Sequence, residues 1–405
     1  MTHLNALTLA LKSLRHKPLS TAINLMLMAV GIAMMTFVLS ASQQLEEHAL
    51  RDAQGIDLVV GAKGSPLQLI LSSVYHIDIP TGNIPLAAQA QLQQNRMVKK
   101  VIPLALGDSY NGFRIVGTTS DYIAHYNGTL AAGKMFAAPM QVVLGAQVAE
   151  KSRLTIGSQF TGAHGISGGG DAHGDAPFSV VGILKPTGTV LDRLVLTSVE
   201  SVWYVHEVAH GIDPNDEEEK AAMDEERELT ALLVQYATPL AAAMMPRAIN
   251  SQSELQAAQP AFESAKLFRM LGVGVDVLRA IALIMLVSAA LSMLAALYNA
   301  LEERRADMAI LRTLGAPPVK LFLLLLAEGL SLALAGAVLG WLAGHGAVEG
   351  VGRLLSADQN LVLSGLYVAP EEAWLALTAA GVGFAAALLP AWRAYRTDIA
   401  TTLAH

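Results

Sequence analysis

"ALYNALEERRADMAILRTLGAPPVKLFLLLLAEGLSLALAGAVLG", residues 296–340, joins two apolar runs through a short, densely charged knot. The run before it, about Val275 to Asn299, is rich in Leu, Ile, Met and Ala. The run after it extends from Val319 to Gly344. A helix needs about 20 mostly apolar residues to cross a bilayer, and both runs reach that length. The knot holds Glu302, Glu303, Arg304, Arg305 and Asp307, followed by the apolar Met308, Ile310, Leu311 and Leu314. Span, charged turn, span is the simplest reading, and it makes the chain a polytopic membrane protein.

The rest of the chain agrees. Of 405 residues 53% are hydrophobic and only 15% charged, with a mean hydropathy of +0.43. A soluble domain carries about 25% charged residues. Cysteine is absent, which excludes disulfides and thiolate chemistry. A net charge of −7 argues against a nucleic-acid partner.

Two further runs have spanning length: Ala22 to Ser42, "AINLMLMAVGIAMMTFVLSAS", and Ala373 to Trp392. The first exceeds the usual 7–15 apolar residues of a signal peptide and follows a long amphipathic lead, so it reads as a span. Lys12, Arg15 and Lys17 precede it; Arg304, Arg305, Arg312 and Lys320 lie between the second and third spans; Arg393 and Arg396 follow the fourth. The 345–372 loop has Arg353 as its one cation. By the positive-inside rule both termini and the 300–318 loop are cytoplasmic. The predicted order is a cytoplasmic amphipathic helix at 1–21, spans at 22–42, 275–299, 319–344 and 373–392, an outer domain at 43–272, an outer loop at 345–372 and a cytoplasmic tail at 393–405. Trp374 and Trp392 lie near the ends of the fourth span, where indole rings favour the interface.

Small residues recur every four positions in the third span: Gly336, Gly340 and Gly344, and Gly329, Ala333 and Ala337. That spacing lets helix backbones approach closely, either inside one subunit or between subunits. Glu328 is an intramembrane acid near the cytoplasmic end. Such acids can mark ion paths, but snorkelling, or pairing with Lys320 or an arginine of the preceding loop, is the simpler reading.

The outer segment alternates strand-like runs ("IDLVVGA", "FRIVGTT", "MQVVLGA", "FSVVGIL", "RLVLTS") with helix-like stretches ("GAQVAEKSRL", "PLAAQAQLQQNRM"), which predicts a mixed α/β domain. Two biased insertions interrupt it. "GAHGISGGGDAHGDAP" (162–177) is Gly-rich and contains His164 and His173; "DPNDEEEKAAMDEERE" (213–228) is acidic. After them, "PAFESAKLFRMLGVGVDVLRAIALIM" has helical spacing and leads into the second span.

The 296–340 stretch resembles the cytoplasmic loop and third span of MacB/FtsX-type permeases, the membrane subunits of type VII ABC transporters, which include LolC and LolE. The family's run is E-R-R/K-x-D/E-I-A-I-L-R-x-L-G-A; here Met308 stands for the usual Ile, and Pro317-Pro318 follows Ala316. "LTLALKSLRHKPLSTAINLMLMAVGI", "MQVVLGAQVAEKSRLTIGSQF", "FSVVGILKPTGTVLDRLVLTSVESV" and "PAWRAYRTDIATTLAH" resemble its amphipathic lead, its extracytoplasmic core and its C-terminal close, with Ile399 where Pro is common. The resemblance implies an α-helical membrane protein with four transmembrane helices and a large mixed α/β extracytoplasmic domain between the first and second. It implies a permease in the bacterial inner membrane, coupled to a cytoplasmic ABC ATPase dimer through Glu302, Glu303, Arg304, Arg305, Asp307, Arg312 and Gly315. A second permease copy or a homologous permease, membrane lipid and a periplasmic adaptor or lipoprotein complete the implied partners. Motion would pass from ATPase to outer domain, by the mechanism the family calls mechanotransmission, to export or extract a lipoprotein, lipid-linked molecule, peptide or drug. The alternatives are an FtsX-like regulator of a periplasmic partner and a zinc-responsive member of the same family. The chain has no G-x-x-x-x-G-K-[ST]; "GAQVAEKS" lacks the second glycine, so ATP hydrolysis is expected in a partner and not here.

One motif points elsewhere. "HEVAH" (206–210) matches the zinc-protease pattern H-E-x-x-H, in which two histidines share a zinc and the Glu is the base. The longer metzincin pattern is missing, because Gly211 comes too early and no third His follows. Glu207 is therefore not expected to be catalytic. His164, His173, His206 and His210 remain candidate ligands for a Zn²⁺ held without catalysis.

Overall fold

The computed structural model describes residues 17–165, 176–209, 227–358 and 363–396. Two compact units divide it. Of the described residues, one contains 17–45, 271–356 and 363–396; the other contains 46–165, 176–209, 227–270 and 357–358.

The first unit is helical. Among the described residues, four helices are long and apolar enough to cross a membrane: Pro18–Ala53, Pro260–Glu303, Pro318–Asp358 and Ala373–Tyr395. They are called the first to fourth long helices. Large apolar side chains stay exposed along them, among them Ile284, Val287, Leu291, Val338 and Leu377. An aqueous protein rarely shows so continuous an apolar surface, whereas lipid solvates it. The helices reach beyond the predicted spans. The third continues through residues 345–358, into the predicted outer loop; its glycines Gly346, Gly350 and Gly352 do not stop it, and no proline intervenes.

The small-residue seam packs inside this one chain. A Cβ on Gly336 would lie 2.7 Å from the Met28 Cβ; on Gly340, 2.5 Å from the Ala29 carbonyl oxygen; on Gly344, 2.6 Å from the Thr36 Cβ. All three contacts are with the first long helix of the same chain. Gly329 and Gly383 meet in the same way, tying the third helix to the fourth. Where the chain turns back into the fourth helix, the buried Glu372 carboxylate accepts from Trp341 Nε1 (2.7 Å) and the Ala369 N–H (3.1 Å) and contacts His345 Nε2 (2.9 Å). Gln44 holds the preceding segment by accepting from the Ser364 N–H (2.8 Å) and donating to its carbonyl (3.1 Å).

The second unit is mixed α/β. Its main sheet runs in the order Leu255–Ala258, Leu58–Ala62, Ala231–Tyr236, Val98–Tyr110, Phe113–Thr118, Leu194–Ser198, Gln141–Leu144, Phe178–Leu184, Leu130–Gly133. Two pairings are parallel, Leu194–Ser198 with Phe113–Thr118 and Gln141–Leu144 with Phe178–Leu184; the other pairings are antiparallel. Every strand-like run read from the sequence forms a strand here. Helices Ala87–Gln93 and Ala146–Ser152 occupy the two helix-like stretches. The 13-residue strand Val98–Tyr110 was not foreseen. It contains Pro103, which cannot donate to a ladder and reads against a central strand. Pro103 is accommodated because it pairs with Leu232 on one side only, and the second neighbour begins at Ala105. The sheet buries apolar side chains on both faces, with Leu104, Val116, Leu194 and Leu233 in one cluster and Leu58, Val60, Leu232 and Val234 in another.

Candidate functional site

The charged knot folds into a separate short helix. The second long helix stops at Glu303, Arg304 leaves helical geometry (φ −102°, ψ 11°), and the chain re-enters a helix at Arg305–Thr313. Gly315 ends it in the left-handed region (φ +96°), its N–H meeting the Arg312 carbonyl at 3.0 Å. A side chain would be strained there, which is why glycine follows so many helices. Pro318 then opens the third long helix, where a missing N–H costs nothing.

The short helix is amphipathic in a way that fixes its seat. Met308 is buried against Leu301, Leu321, Leu325, Ala391 and Ala394, contributed by the second, third and fourth long helices, and Ala309 beside it is fully buried. Its other face is open: Arg305 is exposed, Ile310 is 48% exposed and Leu314 79%.

Ion pairs hold the corner. Arg304 Nη1 lies 3.4 Å from Glu328 Oε1, and the Glu328 side chain is only 3% exposed. A buried carboxylate left unpaired in a membrane costs several kcal/mol, so Arg304 accounts for Glu328. Glu302 pairs with Arg305 (3.1 Å) and Glu303 with Lys17 (2.5 Å). Arg393 stacks its guanidinium over the Tyr298 ring, 4.9 Å from the centroid. Of the residues singled out in the sequence, Glu302, Glu303, Arg304, Arg305, Arg312 and Gly315 gather at this corner. Asp307 lies on the short helix, with its side chain outside the described residues.

A second polar cluster, not foreseen, sits in the α/β unit. The Tyr75 hydroxyl lies 2.6 Å from Ser264 Oγ and donates to the Ala49 carbonyl (3.4 Å). It therefore bridges the end of the first long helix and the start of the second. Asp52 pairs with Arg193 (2.9 Å) and accepts from the Val190 N–H (2.7 Å), while Tyr126 donates to the Asp52 carbonyl (2.6 Å). Burial raises the Asp52 pKa; Arg193 and the Val190 N–H offset part of that rise. Beside this pair His76 is fully buried, in the left-handed region (φ +54°), with Nε2 3.0 Å from the Tyr122 hydroxyl. Burial, then Arg114 and Arg193, hold its pKa well below the usual histidine value. Nothing in the local sequence marks these contacts, because Tyr75, Ser264, Asp52 and Arg193 are far apart along the chain.

Part of the histidine motif lies on a described helix. Residues Val199–Ala209 form one helix carrying His206 and Glu207, and it packs through Val199, Val202 and Val205. Trp203 donates to the Glu228 carbonyl (2.8 Å) and lies under Arg227. His164 ends the short strand Ala163–His164, paired with Ser109 and Asp108. His173 and His210 lie outside the described residues, as do the side chains of His164 and His206.

Comparisons with known proteins bear on both units. The model of the FtsX-like permease C-terminal family matches residues 279–399, and that of the MacB-like periplasmic core domain matches residues 21–260. Among solved structures, the chain is similar to the periplasmic region of MacB from Actinobacillus actinomycetemcomitans, at 12% identity and a TM-score of 0.35, over 56% of this chain and 97% of that one. It is also similar to the extracellular domain of the noncanonical ABC-type transporter YknZ from Gram-positive bacteria, at 13% identity and a TM-score of 0.30, over 50% of this chain and 99% of that one. No curated protein matches it.

Proposed function

Because the chain belongs to the MacB/FtsX family of type VII ABC-transporter permeases, we propose that it carries ATP-driven motion from a separate cytoplasmic ATPase to its α/β unit, to extract or export an envelope substrate. The substrate class is a lipoprotein, lipid-linked molecule, peptide or drug. ATPases of this kind work as a two-fold pair, so two permease copies, identical or homologous, would meet them. The distribution of Lys and Arg supports cytoplasmic termini in the inner membrane.

The observation that carries the reading is the short helix Arg305–Thr313. Its apolar side is seated on three long helices, and its other side leaves Arg305, Ile310 and Leu314 open to a partner. A helix laid into a partner's groove uses such a face. Through Arg304 and Glu328, a push on this helix would reach the third long helix, and through Glu303 the second. The unbroken second helix, which starts at Pro260, would carry the displacement outward.

The test is co-purification and ATP hydrolysis in lipid nanodiscs with a candidate cognate ABC ATPase from the same organism. Leu314→Asp and Arg305→Glu should weaken the complex at least about tenfold and abolish permease-dependent changes in hydrolysis, since each introduces an unpaired charge at the contact. Both side chains are exposed, so folding should persist. Normal assembly and coupling in both variants would place the docking surface elsewhere and end the reading.

A further inference from the structure

The α/β unit contains a cleft of about 610 Å³ that no part of the coupling mechanism uses. We propose that it binds an anionic, hydroxyl-bearing small molecule of the sugar-phosphate class. Binding pockets for small ligands usually measure about 300–1,000 Å³, so the size fits.

The lining decides the chemistry. Arg51 and Lys185 supply two cations, and no acidic side chain lines the cleft. Neither cation forms an ion pair among the described residues; Arg51 Nε donates only to the Glu47 carbonyl, at 3.4 Å. Of the nearby carboxylates, Asp52 and Asp192 are turned inward and occupied, and Glu47, exposed one turn before Arg51, does not line the cleft. Asp52 is bound to Arg193. Asp192 accepts from the Thr187 N–H (2.8 Å), its hydroxyl (2.9 Å) and the Gly188 N–H (2.8 Å). That arrangement shapes the Lys185–Thr189 loop so that Arg51 lies over it. A Cβ on Gly188 would stand 3.5 Å from Arg51 Nη1, so glycine leaves the guanidinium uncovered. Arg51 also interacts with the Asp52 carboxylate, but the lining itself carries two cations and no acid, and such a concave surface selects an anion.

The remaining walls are polar but uncharged. Thr129 and Thr189 bring hydroxyls, and Gln235 an amide. His125 is held rigidly: Nε2 contacts the Gln54 carbonyl (2.9 Å) and Nδ1 lies 3.2 Å from Gln235 Nε2. Burial lowers its pKa, which keeps the ring neutral at physiological pH. Nε2 then donates to the carbonyl while Nδ1 accepts from the amide. Both imidazole nitrogens and both Gln235 Nε2 protons are used within the protein, the second proton on the Gly55 carbonyl (2.9 Å), so the Thr129 and Thr189 hydroxyls and Gln235 Oε1 are the groups that recognise ligand hydroxyls, which a purely apolar anion such as a fatty acid does not offer. The ligand can be a free sugar phosphate or the sugar-phosphate head group of a lipid.

Calorimetry on the full-length protein in neutral detergent tests this, with glucose 1-phosphate, glucose, and mixed micelles of phosphatidylcholine with phosphatidylinositol as probes. Saturable binding of glucose 1-phosphate or of phosphatidylinositol, with none of glucose, is expected. Binding of the micelles alone would assign a lipid head group; binding of the soluble phosphate would assign a free ligand. Arg51→Gln and Lys185→Gln should each weaken that binding about tenfold, the loss of one charge-assisted contact. Lys266→Gln, at an exposed position away from the cleft, should not. No saturable binding of either anion, equal binding of glucose, or affinity unchanged by either cleft substitution would overturn the proposal.

Discussion

His76 shows how one side chain sets a condition on the whole α/β unit. It is buried, near Arg114 and Arg193, with its pKa held well below 6.5; His125 is shifted the same way. As pH falls below about 6.5, the unfolded chain takes up protons at these positions and the folded one does not. Stability is therefore full above that pH and declines below it, by up to about 1.4 kcal/mol per pH unit for each histidine. The unfolding midpoint reported by Trp203 should drop between pH 7.5 and pH 5.5. His76→Asn, which tolerates the positive φ, should remove part of the drop; an unchanged pH profile in that variant would contradict this account. Arg114 belongs to the same cluster, its pKa lowered to about 10 chiefly by burial. None of this was legible in the sequence, where His76 is one histidine among eleven. The Arg304–Glu328 pair was half legible. A buried acid in a span demands a cation, but only the fold selects Arg304, 24 residues away, over Lys320.

At the scale of elements, the glycine seam makes the clearest demand. Gly340→Leu would drive a side chain into the Ala29 backbone, already 2.5 Å from a bare Cβ. That variant should lose about 3 kcal/mol or more, or fail to accumulate folded. Gly346, on the same helix, has open space around it; Gly346→Ala should be neutral or gain up to about 1 kcal/mol from helix propensity. Thermal unfolding in detergent distinguishes them, and equal effects would mean that the seam does not pack as described. The four spans were legible because about 20 apolar residues have few other uses. Most strands were legible from their branched, alternating runs. Val98–Tyr110 was hidden by Pro103 and by Lys99 and Lys100, and the extension of the third helix to Asp358 by glycines that lipid and neighbouring helices tolerate.

At the scale of the molecule, two compact units share one chain. Two cores of different chemistry, one solvated by water and one by lipid, need not unfold together. Trp203 lies in the α/β unit and Trp341 in the helical one. Variants retaining only one of these tryptophans should report separate urea transitions, the α/β unit unfolding at lower concentration; coincident transitions would contradict the division. The seam between the first and third long helices carries a further consequence, for biosynthesis. Ala29 and Thr36 enter the membrane about 300 residues before Gly340 and Gly344. At roughly 5–20 residues per second, the first helix waits on the order of 15–60 s for its partner. During that wait its packing face is open to any other helix in the bilayer, so the nascent chain depends on whatever shields that face until the third long helix follows.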